Sequence, residues 1–411
     1  MNWFRILKLY WFTIYYLKPI QIFYRIKNYI KPKSSLFIFK GILPTAKESE
    51  NSFVQPSEYE PCFFKNDYFC FAGRKRKLSE VGWAAPDEEK LWRYNLHYFN
   101  DLKSHDSKFR VGQQLRILSD WVDENLPGTD LAWDPYPTAL RIVNWIKWFY
   151  ADNKLPDKCL KSLSIQVRFL YNRLEWQTLG NHLFSDAKAL VFYGVTFNDP
   201  ESDKFFNRGL KIITEELSEQ ILEDGGNFEL SPMYHCLFLE DILDLFNLTK
   251  SYPNSFNSNF VKTLRLTAIK MVQWLNCMTH PDGEISFFND SAKGVAANLK
   301  NLSLYATRLN INVRPKENKS SQIEFHHLEN SGYIRINSNH AAFIIDVGRI
   351  GPNYIPSHAH ADTLSFEFSL SGQRVVVNGG TSTYELNEQR LKERSTESHS
   401  TVEINGESSS E

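Results

Sequence analysis

The segment Ser357-His358-Ala359-His360-Ala361-Asp362 carries two imidazoles two residues apart, beside a predicted strand. Side chains at i and i+2 of an extended segment point the same way, so His358 and His360 can face one site, where a nearby carboxylate orients or co-ligates them. As a bare pattern, H-x-H-x-D also opens a dinuclear metal-hydrolase motif that would use His358, His360 and Asp362. Against it, Thr363 stands where a further His would follow, and a long helical region precedes the motif. A second group is Gly180-Asn181-His182, with Asn181 placed as the N-cap of a helix. A third is Ser231-Pro232-Met233-Tyr234-His235, just before a helical stripe with Phe238 and Ile242. An Asn, a Tyr and a His at three separate loop positions supply what elimination across a uronic acid requires. The sugar carboxylate must be neutralised, a base must take the proton beside it, and an acid must serve the leaving oxygen.

The elements that position these groups follow from the apolar period. From about residue 90 to 310 it is helical: Val111, Leu115, Leu118 and Val122; Ala139, Ile142, Val143, Ile146 and Phe149; Leu160, Leu163, Val167, Leu170 and Leu174. Further stripes run to Leu275, separated by breakers such as Pro127-Gly128, Asp224-Gly225-Gly226 and Pro281-Asp282-Gly283. Beyond the polar stretch Arg314 to Gln322 the period changes to two, with Leu364, Phe366, Phe368 and Leu370, a Ser371-Gly372 turn into Val375 and Val377, and an Asn405-Gly406 hairpin signal after Val402 and Ile404. No return strand follows that signal, so the β domain is expected to be truncated. The division expected is a basic aromatic segment 1–45, a helical domain 46–315 and a β domain 325–411.

Composition narrows the function classes. Of 411 residues 42% are apolar and 23% charged, which excludes a disordered or fibrous chain. The net charge of −1 argues against nucleic acid as a partner. The neutral total hides an asymmetry: the first 40 residues hold eight Lys/Arg and no acid, leaving 39 basic against 48 acidic residues in the rest. That lead has no small-x-small cleavage site and no stretch of the ~20 residues needed to span a bilayer. It predicts either peripheral contact of residues 1–40 with a membrane or a helix packed on the body, and a cytoplasmic or inner-membrane-associated protein, with the periplasm as the alternative. Five cysteines, with no CxxC pair, predict buried thiols rather than a disulfide framework.

Six segments in order carry a family resemblance: Gly180-Asn181-His182-Leu183; Asp224-Gly225-Gly226 with Ser231-Pro232-Met233-Tyr234-His235; His280-Pro281-Asp282-Gly283; His358-Ala359-His360-Ala361-Asp362; Gly379-Gly380-Thr381; and Ser398-His399-Ser400-Thr401-Val402. The chain resembles bacterial heparinase II/III-like polysaccharide lyases, which include heparin, heparan and alginate lyases. The segment Trp92-Arg93-Tyr94-Asn95-Leu96-His97-Tyr98-Phe99 resembles lyase-like proteins of bacterial capsule or O-antigen biosynthesis.

The resemblance implies an incomplete (α/α) toroid followed by an antiparallel β-sandwich domain, a site in the cleft between them, and β-elimination on a uronate-containing acidic polysaccharide without an organic cofactor. It gives Asn181, with His182, the neutralisation of the carboxylate, Tyr234 the proton-transferring phenol, and His358 the partner base or charge neutraliser. Arg93, Tyr94, Trp133, Tyr136 and His235, with Trp92 and Arg141, are expected to contact the glycan, since an acidic sugar calls for cations and stacking rings. It also implies a structural zinc on His360, Asn378 and His399, although the family has an Asp where Asn378 stands and often an Asn at Ser400, and an amide is the weaker zinc ligand. The competing class is a catalytically weak glycan-binding protein serving capsule assembly.

Overall fold

A computed structural model describes residues 3–30, 42–128, 130–313 and 323–410, without the side chains of 4–6 and 9. The Arg314 to Gln322 stretch and part of the N-terminal segment lie outside the described residues. Helices dominate up to Arg308, and an antiparallel sheet follows, which is the expected fold class. The helices that matter here are α1 (Trp3–Tyr16), α2 (Lys90–Tyr98), α3 (Val111–Glu124), α4 (Pro135–Tyr150), α5 (Asp157–Tyr171), α6 (Gly180–Thr196), α7 (Pro232–Ser251), α8 (Ser258–Cys277) and α9 (Glu388–Arg394).

The chain forms two compact units. One holds Phe23–Glu216 and Asn247–Asn257, the other Met1–Ile22, Leu217–Phe246 and Ser258–Glu411. In the first, α4 packs along α6, and α6 is buried almost from end to end. Proline at the start of α4 presets the helical φ where its missing N–H is not needed. Trp121, Trp145, Trp148 and Phe184 fill the interior, and the fully buried guanidinium of Arg141 lies 3.9 Å over the Trp121 ring. The buried face of α3 is Gln114, Ile117, Leu118 and Trp121, so the expected stripe through Leu115 and Val122 is rotated by about one residue. The large indole outcompetes two smaller side chains for the core. A small antiparallel sheet of Phe63–Phe64, Tyr68–Phe71 and Arg74–Lys77, closed by ring packing of Phe63 on Phe69, occupies a stretch assigned to the helical domain.

In the second unit five strands form an antiparallel meander: β1 (Glu324–Leu328), β2 (Tyr333–Asn337), β3 (Ala341–Asp346), β4 (Phe366–Leu370) and β5 (Gln373–Val376), each paired with the next. Phe343 pairs with Phe368 across β3 and β4, their rings stacked at 4.2 Å. Ser371 and Gly372 both have positive φ, as a two-residue hairpin of matching twist demands. Asn405 and Gly406 do likewise, but Val402 and Ile404 form no regular strand and only an isolated bridge joins Ile404 to Glu407. A core of Leu230, Trp274, Met278, Phe288, Tyr333 and Ile344 joins α8 and the sheet to the turn before α7. Two hydrogen bonds fix that junction, from Tyr333 Oη to the Leu230 carbonyl (2.7 Å) and from Trp274 Nε1 to Ser331 Oγ (2.8 Å). Gly225 is held at φ 92° beside α8, and a Cβ there would lie 2.5 Å from the Lys270 carbonyl oxygen, which explains the glycine.

Candidate active site

Tyr234 sits in the first turn of α7. The chain reaches it through Leu230, at φ 59°, and Pro232 at the first helical position. Ser231 Oγ accepts the Tyr234 backbone N–H (3.3 Å) and donates to the Asp290 carbonyl (2.7 Å), locking the helix start onto the loop that follows Phe288. The Tyr234 ring lies against the His358 imidazole with centroids 3.9 Å apart, and its hydroxyl is 3.0 Å from that of Tyr384. Burial pushes the Tyr384 phenol well above its ordinary range, so it stays a neutral hydrogen-bond partner.

The carboxylate of Asp290, wholly buried, gathers this group. It faces His358 Nδ1 at 2.9 Å, His360 Nε2 at 2.8 Å and both terminal nitrogens of Arg390, Nη2 at 2.7 Å. Burial alone would raise its pKa, but the hydrogen bonds from His358, His360 and Arg390 more than offset this and hold it well below the usual carboxylate range. With Nδ1 of His358 held by Asp290, Nε2 is the nitrogen left to exchange a proton; it lies 3.3 Å from the buried Glu229 carboxylate. His358 and His360 thus do meet one group, although His358 ends a short 3-10 turn (Pro356–His358) rather than lying on a strand.

The orienting carboxylate is Asp290 and not Asp362. Asp362 accepts the Asn289 N–H (3.2 Å), and burial raises its pKa to about 6. The hydrolase reading through His358, His360 and Asp362 therefore lacks its third ligand, and among the described residues no group of three or more His, Cys, Asp or Glu is arranged to hold a metal ion.

The zinc expectation is tested by donor directions. His360 Nδ1 and His399 Nε2 face each other at 3.3 Å, about the separation of two nitrogens on one tetrahedral ion with ~2.0–2.1 Å bonds. Asn378 Oδ1, however, is 3.2 Å from Nδ1, the other nitrogen of His399. It holds the ring instead of completing a ligand set, so His360, Asn378 and His399 do not fit a three-ligand site.

In the other unit Asn181 and His182 occupy the first turn of α6. Leu179 (φ 62°) is the capping position and makes no side-chain cap, so Asn181 is inside the helix and not its N-cap as expected. His182 stacks on Tyr136 with centroids 4.3 Å apart, and its Nδ1 is 3.1 Å from Glu175 Oε2. The Glu175 backbone N–H donates to buried Asp186 (2.8 Å), whose pKa burial and then Glu175 push far up. Asn181 and His182 are half-buried and stand at the positive, N-terminal end of the α6 dipole. That combination suits a carboxylate.

The expected sugar contacts divide. Tyr136 and Tyr94 are half-buried, Tyr94 donating to Asp134 (2.8 Å), while Arg93 donates to the Ala84 carbonyl (2.8 Å) and lies 3.7 Å from Asp130. Trp133, Trp92 and Arg141 are core: Trp133 packs on Trp121 and Phe169 and donates to the Asn125 carbonyl (3.2 Å). His235 is also wholly buried, accepting the Asn227 N–H (3.3 Å), donating to the Met271 carbonyl (2.9 Å) and stacking on Trp274 at 4.2 Å. Burial depresses its pKa to about 4. It builds the turn and cannot touch a sugar, and the same holds for Trp133. Asp290, Glu229, Tyr384 and Arg390 carry no spacing signal that would have singled them out, since they lie far apart in the chain and outside any repeated pattern.

A helical region ending in an antiparallel β domain, with a tyrosine–histidine pair on a buried carboxylate, is the combination that the comparisons with known proteins place. The heparinase II/III N-terminus family model matches residues 62–313 and the heparinase II/III-like C-terminal model residues 321–411. The chain belongs to the heparinase II/III family. It is 23% identical over 372 residues to a heparin-sulfate lyase of Bacteroides stercoris, covering 79% of this chain and 55% of that protein. It is 25% identical over 370 residues to a heparin-sulfate lyase of Pedobacter heparinus, covering 78% and 53%. The chain thus spans about half the length of the curated relatives it matches. Among solved structures it is similar to a heparinase III (TM-score 0.58, 19% identity, 78% of this chain and 55% of that one). It is also similar to a heparan sulfate lyase from Pedobacter heparinus (TM-score 0.52, 19% identity, 84% and 59%). The fold of these lyases is an α/α toroid with a β-sandwich.

Proposed function

We propose that this protein is a polysaccharide lyase that cleaves a uronate-containing acidic glycan by β-elimination. The observation that carries the reading is the Tyr234 phenol laid against His358 at 3.9 Å, with His358 held from behind by Asp290. In the reaction the C5–H bond of the uronate breaks, its electron pair forms the C4=C5 double bond, and the C4–O bond to the leaving sugar breaks. The uronate carboxylate must be neutralised before the C5 proton becomes removable, the role that the family resemblance implies for Asn181 and His182. His358 Nε2 or the Tyr234 oxygen takes that proton, and the Tyr234 hydroxyl delivers one to the leaving oxygen. Tyr384, hydrogen-bonded to Tyr234, fixes the direction of the phenol.

We place the substrate among bacterial surface polysaccharides on the resemblance of residues 92–99, with heparan-type glycans as the first to assay. Turnover is read from the ultraviolet absorbance of the unsaturated uronate. A Tyr234→Phe variant that folds normally and turns over as fast as the parent would sink the reading. Binding of acidic glycans without any absorbance rise would leave a glycan-binding protein.

A further inference from the structure

The helix α1 has the sequence WFRILKLYWFTIYY, in which half the residues are aromatic. All its side chains that the structure describes are exposed, including the unbroken run Tyr10 to Tyr16, with Trp3, Tyr10, Trp11 and Tyr15 each about two-thirds exposed. Elsewhere among the described residues up to Tyr29 the pattern continues on the next helix (Pro19–Ile30), with Phe23, Ile26 and Tyr29 exposed. Apart from Arg5, Lys8 and Thr13 the helix is apolar or aromatic, and so broad an apolar surface needs cover on more than one side. A flat protein partner covers one side, whereas the interfacial layer of a bilayer surrounds a helix that sinks into it.

Length and chemistry select the lipid. Fourteen residues make a helix of about 21 Å, short of the ~30 Å hydrocarbon thickness, and among the described residues no helix is long and apolar enough to cross a membrane. Trp and Tyr, five of the fourteen residues, are the side chains that settle at headgroup level. Charge is complementary as well: the first 40 residues hold eight Lys/Arg and no acid. At the end of α1 the Lys18 ammonium is 2.6 Å from Glu219 and 4.0 Å over the Tyr354 ring, which ties the helix to its own unit.

We propose that Trp3–Tyr16 is an interfacial anchor that lies in the headgroup layer of an anionic bilayer. The full chain is sedimented with vesicles of phosphatidylcholine alone and of phosphatidylcholine with one-quarter phosphatidylglycerol. The anchor gives at least about tenfold stronger binding to the anionic vesicles, weakened by salt. Trp3→Ser/Trp11→Ser/Tyr15→Ser together lower binding to both by about tenfold or more, and Lys8→Gln/Lys27→Gln reduces the anionic preference without abolishing it. Tyr234→Phe leaves binding unchanged, so the result is independent of the lyase reading. Equal binding by parent and triple variant, or no binding to either vesicle, overturns the proposal. So does a concentration-dependent oligomer in light scattering that the triple variant converts to monomer and vesicles do not compete away, since a second copy is then the occupant.

Discussion

The two histidine neighbourhoods, one in each unit, are built differently. His182 is held by Glu175, seven positions back, and by Tyr136 on the packed helix α4, and it stays partly exposed. His358 is held by Asp290, which is itself gripped by Arg390 and shared with His360, all drawn from distant parts of the chain into a dry interior. In water-rich surroundings one lost contact is replaced by solvent, whereas in the interior each lost partner leaves a buried charge. The partly exposed His182 can therefore be replaced at smaller cost than Asp290, on which three side chains converge.

The largest effect should come from Tyr234. Tyr234→Phe should lower kcat of glycan cleavage by about 10³-fold or more, within the range of a lost acid–base group, with little change in urea stability. Asp290→Asn should cost about 3–5 kcal/mol of stability in urea unfolding, because Arg390 loses its buried partner, and should abolish turnover with it. The matching change Glu175→Gln should cost less, about 1–3 kcal/mol, since Glu175 is buried but its partner His182 is partly exposed. Equal costs at the two positions would break the contrast between the units. Asn181→Ala should reduce kcat by about 10²-fold or more, read from initial rates at saturating glycan.

The smallest effect concerns pH, measured by hydrogen exchange resolved to each unit. Burial, then nearby Arg141, holds His97 at about 3 in the folded helical unit, below the ordinary imidazole value near 6.5. The unfolded chain binds more protons at this group between these values, so His97's contribution to stability is lost as pH falls from about 6.5, by roughly 1–2 kcal/mol at pH 5. In the sheet-bearing unit burial raises Asp346 to about 8, with Asp362 next to it. There the folded state binds more protons above pH ~4, so this group's contribution is present below that value and is lost as pH rises towards 8. On acidification from pH 7 to 5 His97 should therefore weaken its unit while Asp346 strengthens its own, each opposed by an oppositely shifted group in the same unit, Asp186 and His235.

The element types were legible because period and breakers are local properties: α4, α5 and α6 fall on their stripes, and the Ser371-Gly372 turn forms where the positive-φ chemistry demanded. Local reading failed where tertiary packing chose among equals. Trp121 rotated the buried face of α3, and the two-residue strand Phe63–Phe64 is too short to show a period. The candidate groups Asn181, Tyr234 and His358 were visible as polar residues at element starts. Their supports were not, because Asp290 lies 68 residues before His358 and Arg390 lies 100 residues beyond Asp290, in the short helix α9. Nothing in the spacing of H-x-H-x-D says that the useful carboxylate comes from elsewhere, and His235, adjacent to Tyr234, reads as a contact residue until its burial is seen.

Both helices that present the candidate groups begin after a leucine in the left-handed region, Leu179 at φ 62° and Leu230 at φ 59°. Each conformation costs about 1–2 kcal/mol for a residue with a Cβ. Both side chains are buried, and burying a leucine returns about 1.5–3 kcal/mol, so a greasy anchor holds each turn against its own torsional preference. For an engineer these are misleading positions. Leucine to glycine looks like a repair of the backbone, yet it would remove the anchor and let the start of the helix wander. Selection for thermostability and selection for turnover should disagree least where both leucines are left alone.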